Sequence, residues 1–424
     1  MVDQGNRGVA DDLFGVHEGV FERRRLLETG YVPRSDRIVG RDEELRRLGS
    51  ALAPAVTGDP PNNVLVYGKA GTGKSLCVKH ATRRCQEAAA ERGVRVGRAV
   101  VDCSQQDTET RAIRAVARQL NDADATGVTV PETGLGRSRY YDRLWTVLDA
   151  RYDVALVVLD EVDRLADTEF LLQLSRAEEA GKLDRCRVGV LGVSNESDFR
   201  ERIPAPVRST LQEREIVFAP YSTDVLTSIL EGRADAISDD ALGPDVLGEC
   251  ATLAAREHGD ARRAIALLRH AGEVALEYGD GEITVAYVRE AHERAERDRI
   301  RELVAGATVQ QKAVLLALST LAVVERERTF RTTDVFDLYE QICTDAGLSA
   351  LSRRRVHDLL REWESLRLLE ITHTGDGRGQ GSFLEHHLLE DPAIIRTVLE
   401  QDSRFAGLSI TVSGDSKTCT WSEI

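Results

Sequence analysis

The run Gly68-Lys69-Ala70-Gly71-Thr72-Gly73-Lys74-Ser75 constrains this chain more than any other feature. It matches G-x-x-x-x-G-K-[ST] at every fixed position, and the apolar Val64-Leu65-Val66-Tyr67 precedes it as an incoming buried strand would. A helical pattern follows, from Leu76 to about Ala90. A strand, a glycine loop and a helix make a nest of backbone N–H groups at a positive helix end, which suits a polyphosphate. Gly68 to Leu76 is therefore the expected cradle. In it Lys74 reaches the β- and γ-phosphates and the Ser75 hydroxyl holds Mg²⁺. ATP or ADP with Mg²⁺ is the expected cofactor.

A second motif is Ala155-Leu156-Val157-Val158-Leu159-Asp160-Glu161. A buried strand ends there in two carboxylates, at the sheet edge where ligands of open α/β folds bind. Asp160 is placed to hold Mg²⁺ through its water shell, and Glu161 to polarise the attacking water. Asp163, two residues on, reads as a solvated or capping residue. The next apolar run ends Gly192-Val193-Ser194-Asn195, where Asn195 is suited to orient water or touch the γ-phosphate. In Gly259-Asp260-Ala261-Arg262-Arg263-Ala264 two Arg open a helix. Adjacent residues cannot share a helix face, so one of the two is expected to reach the nucleotide.

The 424 residues allow two to four domains, each with its own core. Short apolar runs at Val94–Val101, Leu156–Leu159, Val188–Val193 and Ile216–Phe218 alternate with helical patterns, the mark of a mostly parallel sheet covered on both faces. A helix is expected after Ile38, with Asp42-Glu43-Glu44 in its first turn. After Pro220 the periodicity becomes all-helical, at 222–236, 244–258, 260–278 and 284–305. From Thr308 three helices (308–324, 332–346, 349–366) precede strands at Leu368–Thr374 and Phe383–Leu389 joined by the glycine-rich Gly375–Gly381, a winged-helix order. Asp391-Pro392 reads as the cap and first residue of a last helix. The expected division is a tail at 1–22, an α/β nucleotide-binding base at 23–221, a helical lid at 222–305, a winged helix at 306–402 and a tail at 403–424.

Formal charge is −15, and the cations are almost all Arg: six Lys stand against fifty Arg. Such a balance suits a cytosol of very high salt, and a GC-rich genome produces the same bias. The seven Cys show no metal or redox spacing and read as reduced, small apolar residues. His386 and His387 are adjacent and should point to opposite faces of a strand. No apolar run approaches the length of a membrane span. The expectation is a cytoplasmic, nucleoid-associated protein with no membrane partner.

The ordered motifs resemble the AAA+ ATPases: phosphate loop, acid pair, sensor-one Asn195 and sensor-two Arg. Within that superfamily the chain resembles the archaeal replication initiators, relatives of the eukaryotic origin recognition complex and the Cdc-six loader, and among them the haloarchaeal ones. Tyr31-Val32-Pro33 with Arg41-Asp42-Glu43, Asp102-Cys103-Ser104-Gln105-Gln106-Asp107-Thr108, Tyr141-Asp142-Arg143-Leu144-Trp145, Phe218-Ala219-Pro220-Tyr221, the Gly259–Ala264 stretch and Arg354-Arg355-Val356 carry the likeness. The resemblance implies an AAA+ base, a helical lid and a C-terminal winged helix. It implies Arg262 as the sensor-two residue, and Val39, Gly40, Arg41 and Tyr221 at the nucleotide. Leu351–Arg361 becomes a recognition helix, and Gly375–Gly381 a wing tip carrying Arg378. Implied partners are duplex DNA at replication origins, the replicative helicase and other initiator copies. Duplex contact is expected from Arg353, Arg354, Arg355 and Arg378, and from Arg111, Arg114 and Arg118 in the family's insertion.

Three features depart from the family. Its usual Arg-Val-Lys-Ser-Ser-Leu is here Pro206-Val207-Arg208-Ser209-Thr210-Leu211, which leaves Arg208 as the candidate trans-acting Arg. The wing tip is poor in cations, with Arg378 alone among glycines and Glu385 following on the second strand. Residues 301–400 carry 12 Arg and Lys against 16 Asp and Glu, which opposes broad non-specific DNA binding. The reading is a slow ATPase used as a switch. The alternatives are a diverged paralogue serving as regulator or plasmid initiator, an AAA+ protein-interaction module, or an inactive nucleotide-holding scaffold.

Overall fold

The computed structural model describes residues 19–28, 31, 37–196, 198–211, 213–257, 259–374, 383–406, 408, 410, 411, 418 and 419. The chain forms two compact units, Met1–Val288 and Arg289–Ile424.

In the first unit five strands form one sheet: β1 Val64–Tyr67, β2 Val96–Asp102, β3 Val154–Asp160, β4 Arg187–Ser194 and β5 Arg214–Val217. All neighbours are parallel, in the order β2-β3-β4-β1-β5. Strand alternation sends Leu65, Val157 and Leu159 to a core shared with the helices Glu109–Leu120 and Arg137–Arg151. It sends Val64, Val66, Leu156 and Val158 to a second core with Lys74–Ala90 and Asp42–Leu52. Burial on both faces explains why these strands read as unbroken apolar runs. In register, Tyr67 stands beside Ser194 and Asp160 beside Val193. The carboxyl ends that carry the phosphate loop, the acid pair and Asn195 therefore meet at one edge, with β1 inserted between β4 and β5.

The helical section of this unit contains Thr223–Glu231, Val246–Arg256 and Ala261–Tyr278. Asp260 caps the last of these, its Oδ1 accepting from the N–H of Arg262 at 2.7 Å and of Arg263 at 3.2 Å. Residues 1–18 of the expected tail lie outside the described residues. Val20 is fully buried, and Phe21 bridges to Ile237.

The second unit has helices Val309–Glu325, Thr332–Asp345 and Arg353–Ser365 with β6 Thr329–Arg331, β7 Leu369–Thr374 and β8 Phe383–Leu388. The strands are antiparallel in the order β6-β8-β7. Sequence reading missed β6 because three residues show no period. Trp363, Tyr339 and Leu316 belong to the core of this unit. Pro392–Leu399 is the last helix, capped by Asp391, whose Oδ1 accepts from Ala393 N at 2.8 Å. Beyond it, β9 Ile410–Thr411 pairs with β10 Thr418–Cys419 in a short ladder where no element was expected. The wing stretch Gly375–Gly381, with Arg378, lies outside the described residues.

His386 is fully buried on β8 and bonds Thr332 Oγ1 through Nε2 at 2.8 Å, while the neighbouring His387 reaches Thr329 Oγ1 at 2.9 Å. Burial, and then the His357 imidazole, push His386 from the ordinary 6.5 to about 4. The folded value is depressed, so the unfolded chain binds the proton more readily between these limits. Stability is full above about 6.5 and falls as pH drops through 4, by on the order of 3 kcal/mol. Hydrogen exchange of the β7–β8 amides between pH 7 and 4 should show this loss, and His386→Gln should flatten it. An equal pH slope in the variant would rule His386 out as the cause.

Candidate nucleotide site and nucleic-acid interface

A cavity of about 370 Å³ opens at the carboxyl edge of the sheet. The phosphate loop floors it: Ala70, Gly71, Gly73, Lys74, Ser75 and Leu76 line it directly. Val39, Tyr221 and Arg262 form parts of the wall, and Asp160, Glu161 and Asn195 close the end.

Backbone geometry explains the glycines. Gly71 has φ +72°, and a Cβ there would lie 1.7 Å from Asp260 Oδ1. Gly73 has φ +86°, and its Cβ would lie 2.5 Å from the Tyr221 hydroxyl. Both positions need a left-handed backbone and a close neighbour, which glycine alone tolerates. The lid touches the loop directly, Ala261 N donating to Gly71 O at 3.2 Å.

Lys74 is buried at 5% exposure, and its ammonium donates to Gly68 O at 2.7 Å, Lys69 O at 2.6 Å and Asn195 Oδ1 at 2.9 Å. Burial lowers it to about 8, with the Arg262 charge as the next cause. Ser75 Oγ donates to Asp160 Oδ1 at 2.6 Å. A hydroxyl and a carboxylate converging on one point form a hard oxygen donor set, which fits Mg²⁺. Lys79, one helical turn beyond, donates to Asp160 Oδ2 at 2.8 Å, a contact the sequence did not suggest.

Glu161 has φ +52°, a left-handed value unusual for a residue with a Cβ. The turn lets β3 end in two carboxylates that both face the cavity. Of the two expectations for Asp163, solvated or capping, the first does not hold: its side chain is 2% exposed, and Oδ1 accepts from the backbone N of Asn195 at 3.3 Å. It anchors the segment that carries Asn195. Arg263 pairs with Glu257, while Arg262 turns into the cavity. One of the two Arg reaches in, as helix geometry demands.

Arg41 sits behind the loop. It is 4% exposed, donates to Thr72 O at 3.0 Å and Ala219 O at 2.6 Å, and its guanidinium carbon lies 3.9 Å from the Tyr221 ring centroid. Gly40, with φ +69°, packs against Val225. Gly68, Lys69 and Thr72 supply the loop's frame through backbone carbonyls that accept from Lys74 and Arg41. Arg208 is half-buried on the helix Ala205–Leu211 and does not line this cavity.

The Arg set of the insertion lies on the helix Glu109–Leu120. Arg111 pairs with Asp107 at 2.8 Å, Arg118 with Glu132 at 3.3 Å, and Arg114 donates to Glu132 O at 2.7 Å. In the second unit Arg353, Arg354 and Arg355 open the helix Arg353–Ser365, four residues later than the helix expected at 349–366 and two after the expected start of the recognition segment at Leu351. Arg355 lies 3.7 Å from both Asp358 and Glu362.

Three family models match successive parts of the chain: an AAA ATPase domain over residues 37–188, a Cdc6 AAA+ ATPase-type lid domain over 227–293, and a CDC6 C-terminal winged helix domain over 302–398. The chain is 46% identical over 402 residues to ORC1-type DNA replication protein 4 of Halobacterium salinarum, covering 95% of this chain and 98% of that one. The chain belongs to the ORC1/Cdc6-type family of DNA replication proteins.

Other members agree. ORC1-type DNA replication protein 9 of Haloarcula marismortui is 40% identical, over 93% of this chain and 96% of its own. The Aeropyrum pernix ORC1 protein, solved in complex with DNA, superposes with a TM-score of 0.65 at 35% identity, covering 90% of this chain and 97% of that one. As in the family, an AAA+ base, lid and winged helix follow in order here, and the AAA+ fold is a nucleotide-binding one. Among the described residues, no helix is long and apolar enough to cross a membrane.

Proposed function

We propose that this family member is an ATP-switched replication initiator. It binds duplex DNA at origins through its winged helix and the Glu109–Leu120 insertion, and helps recruit the replicative helicase in the cytoplasm, at the nucleoid. Its working parts are a base at 23–221, a lid at 222–305 and a winged helix at 306–402. The observation that carries the reading is the convergence of Lys74, Asp160, Glu161, Asn195 and the lid's Arg262 on one cavity.

In this reading the loop N–H groups and Lys74 hold the phosphates of ATP. Ser75 and Asp160 would hold Mg²⁺, which would supply neutralisation of the phosphate charge. Glu161 accepts the proton of the attacking water, and Asn195 fixes that water's position. Arg262 links the γ-phosphate to the lid, so hydrolysis releases the lid from the loop. Pro206 stands where the family's trans-acting Arg usually stands, and such an Arg contributes about three to five orders of magnitude. Turnover is expected at about one per minute or slower. Steady-state hydrolysis with and without DNA measures it, and several turnovers per second by the monomer would remove the switch.

DNA contact is supported by the exposed Arg353 and Arg354 at the start of their helix and by the DNA complex of the Aeropyrum pernix relative. Arg354→Ala is expected to weaken site-specific binding by about 1–3 kcal/mol and relax the preference at one base pair. Arg378→Ala should lower binding to all sequences evenly. Selection from duplexes of the source genome at molar KCl, followed by affinity measurements on both variants, tests this. The ion pairs of Arg111, Arg118 and Arg355 with carboxylates favour a second reading, in which these surfaces meet protein partners or other initiator copies, with Arg208 acting in trans. An absence of duplex enrichment would select it.

A further inference from the structure

Residues 19–28 precede the sheet in the chain, yet the hydrogen bonds that tie them to distant described residues all go to the lid. The N–H groups of Glu22 and Arg23 donate to Ala236 O at 3.0 and 3.1 Å, Ser238 N donates to Val20 O at 3.0 Å, and Phe21 forms a bridge with Ile237. The Phe21 ring lies so close to the helix Ala261–Tyr278 that a Cβ at Gly272 would be 2.4 Å from its Cζ. Arg24 pairs with Glu273 of that helix, and Arg23 with Asp235 at 3.3 Å. These residues form a strap fastened to the lid. The strap and the chain just after it also reach the nucleotide cavity, where Leu27, Glu28 and Tyr31 are part of the wall.

Arg233 joins strap, lid and cavity. It is a lid residue, 9% exposed, and lines the same cavity. Its Nη1 donates to Leu26 O at 2.7 Å, and its guanidinium carbon lies 5.3 Å from the Tyr31 ring centroid. Arg37, also in the wall, is bound by Asp235, two residues beyond Arg233, at 2.7 and 3.1 Å. A buried guanidinium is costly to strip of its partners, so the bond to Leu26 resists opening. The lining beside Arg233 is apolar, with Leu27, Ile38, Ile229 and Ile265. That part of the cavity suits the purine base, as the glycine loop suits the phosphates. A base seated among these residues is held by strap and lid together.

We infer that Arg233 is a positioning residue, which clamps the strap to the lid against the base of the nucleotide and thereby sets the rate at which ADP leaves. The inference rests on the ATP-switch reading and deepens it: the lifetime of the ADP state is assigned to the base end of the cavity, whereas Arg262 answers to the γ-phosphate. Loss of the clamp should speed the release of ADP and ATP alike, since both carry the same base.

The test uses the full chain loaded with radiolabelled ADP or a non-hydrolysable ATP analogue, chased with unlabelled nucleotide and followed by rapid filtration. Arg233→Met should release both nucleotides at least about tenfold faster, the effect of losing one hydrogen bond from a charged donor. Association should change by less than about twofold, because such losses fall mainly on dissociation. Hydrogen exchange with ADP bound should quicken across residues 19–28 while β1, β3 and β4 keep wild-type protection. Arg233→Lys keeps a cation able to donate to Leu26 O and should bring release to within about threefold of wild type. If the Met variant does not fold, Arg24→Ala loosens the same strap from its exposed side, outside the cavity, and should speed release of both nucleotides about threefold. Wild-type release in Arg233→Met, or in Arg24→Ala where the Met variant does not fold, would overturn the clamp. Faster release with the strap amides as protected as in wild type would also overturn it, as would an acceleration for the ATP analogue alone. If wild type binds neither nucleotide, the ATP-switch reading fails first and the clamp falls with it, a result distinct from the others.

Discussion

Lys74→Ala is expected to lower ATP affinity by at least about a hundredfold while the protein stays folded. The ammonium now bonds two loop carbonyls and Asn195. It is the buried cation of the cavity floor, and a phosphate would replace those three acceptors with stronger ones. Hydrogen bonds to charged groups are worth about 1.5–3 kcal/mol each, so losing two at the β- and γ-phosphates costs on the order of 3–6 kcal/mol. Folding should suffer less. The side chain emerges at the start of the helix Lys74–Ala90, whose buried face of Cys77, Val78 and Ala81 is untouched. Binding of a fluorescent ATP analogue, with a thermal melt as control, gives the answer. Affinity within threefold of wild type would refute the assignment of the loop.

Glu161→Gln should do the opposite. ATP should bind within about threefold of wild type, because Ser75, Asp160 and Lys74 are left in place, yet hydrolysis should fall by about two to four orders of magnitude with the general base removed. The amide keeps the size of the carboxylate and the left-handed backbone at this residue, but it cannot accept the proton of the attacking water. Since turnover is expected to be slow already, single-turnover measurement with bound ATP is the suitable assay. The trapped state should also hold the lid against the loop through Arg262, protecting the backbone around Gly259–Ala264 from hydrogen exchange. Hydrolysis at the wild-type rate would show that another group activates the water.

The expected residues that line the candidate nucleotide cavity were legible because each belongs to a contiguous motif whose spacing follows strand and helix geometry. The phosphate loop had to join β1 to its helix, and Asp160-Glu161 had to end an apolar strand. Helix spacing left the choice between Arg262 and Arg263 open, and the family resemblance implied Arg262; in the structure Arg262 lines the cavity and Arg263 pairs with Glu257. The residues expected at DNA were less legible. An Arg-rich helix start reads the same whether the cations face a groove or their own carboxylates, as Arg354 and Arg355 show.

By itself, the sequence determined the α/β class, the order of base, lid and winged helix, and the chemistry expected at the carboxyl edge of the sheet. These depend on local periodicity and on fixed short spacings. Tertiary structure alone decided the strand order β2-β3-β4-β1-β5, which brings Ser75 to Asp160 across 85 residues. It placed Arg41 behind the phosphate loop and against Tyr221, buried Asp163 beneath Asn195, and set Lys79 on Asp160. It also added β6 to the sheet of the second unit. The physical reason is the same throughout: these partners are far apart in the chain, and their meeting is set by which apolar faces pack together, not by the charged residues themselves.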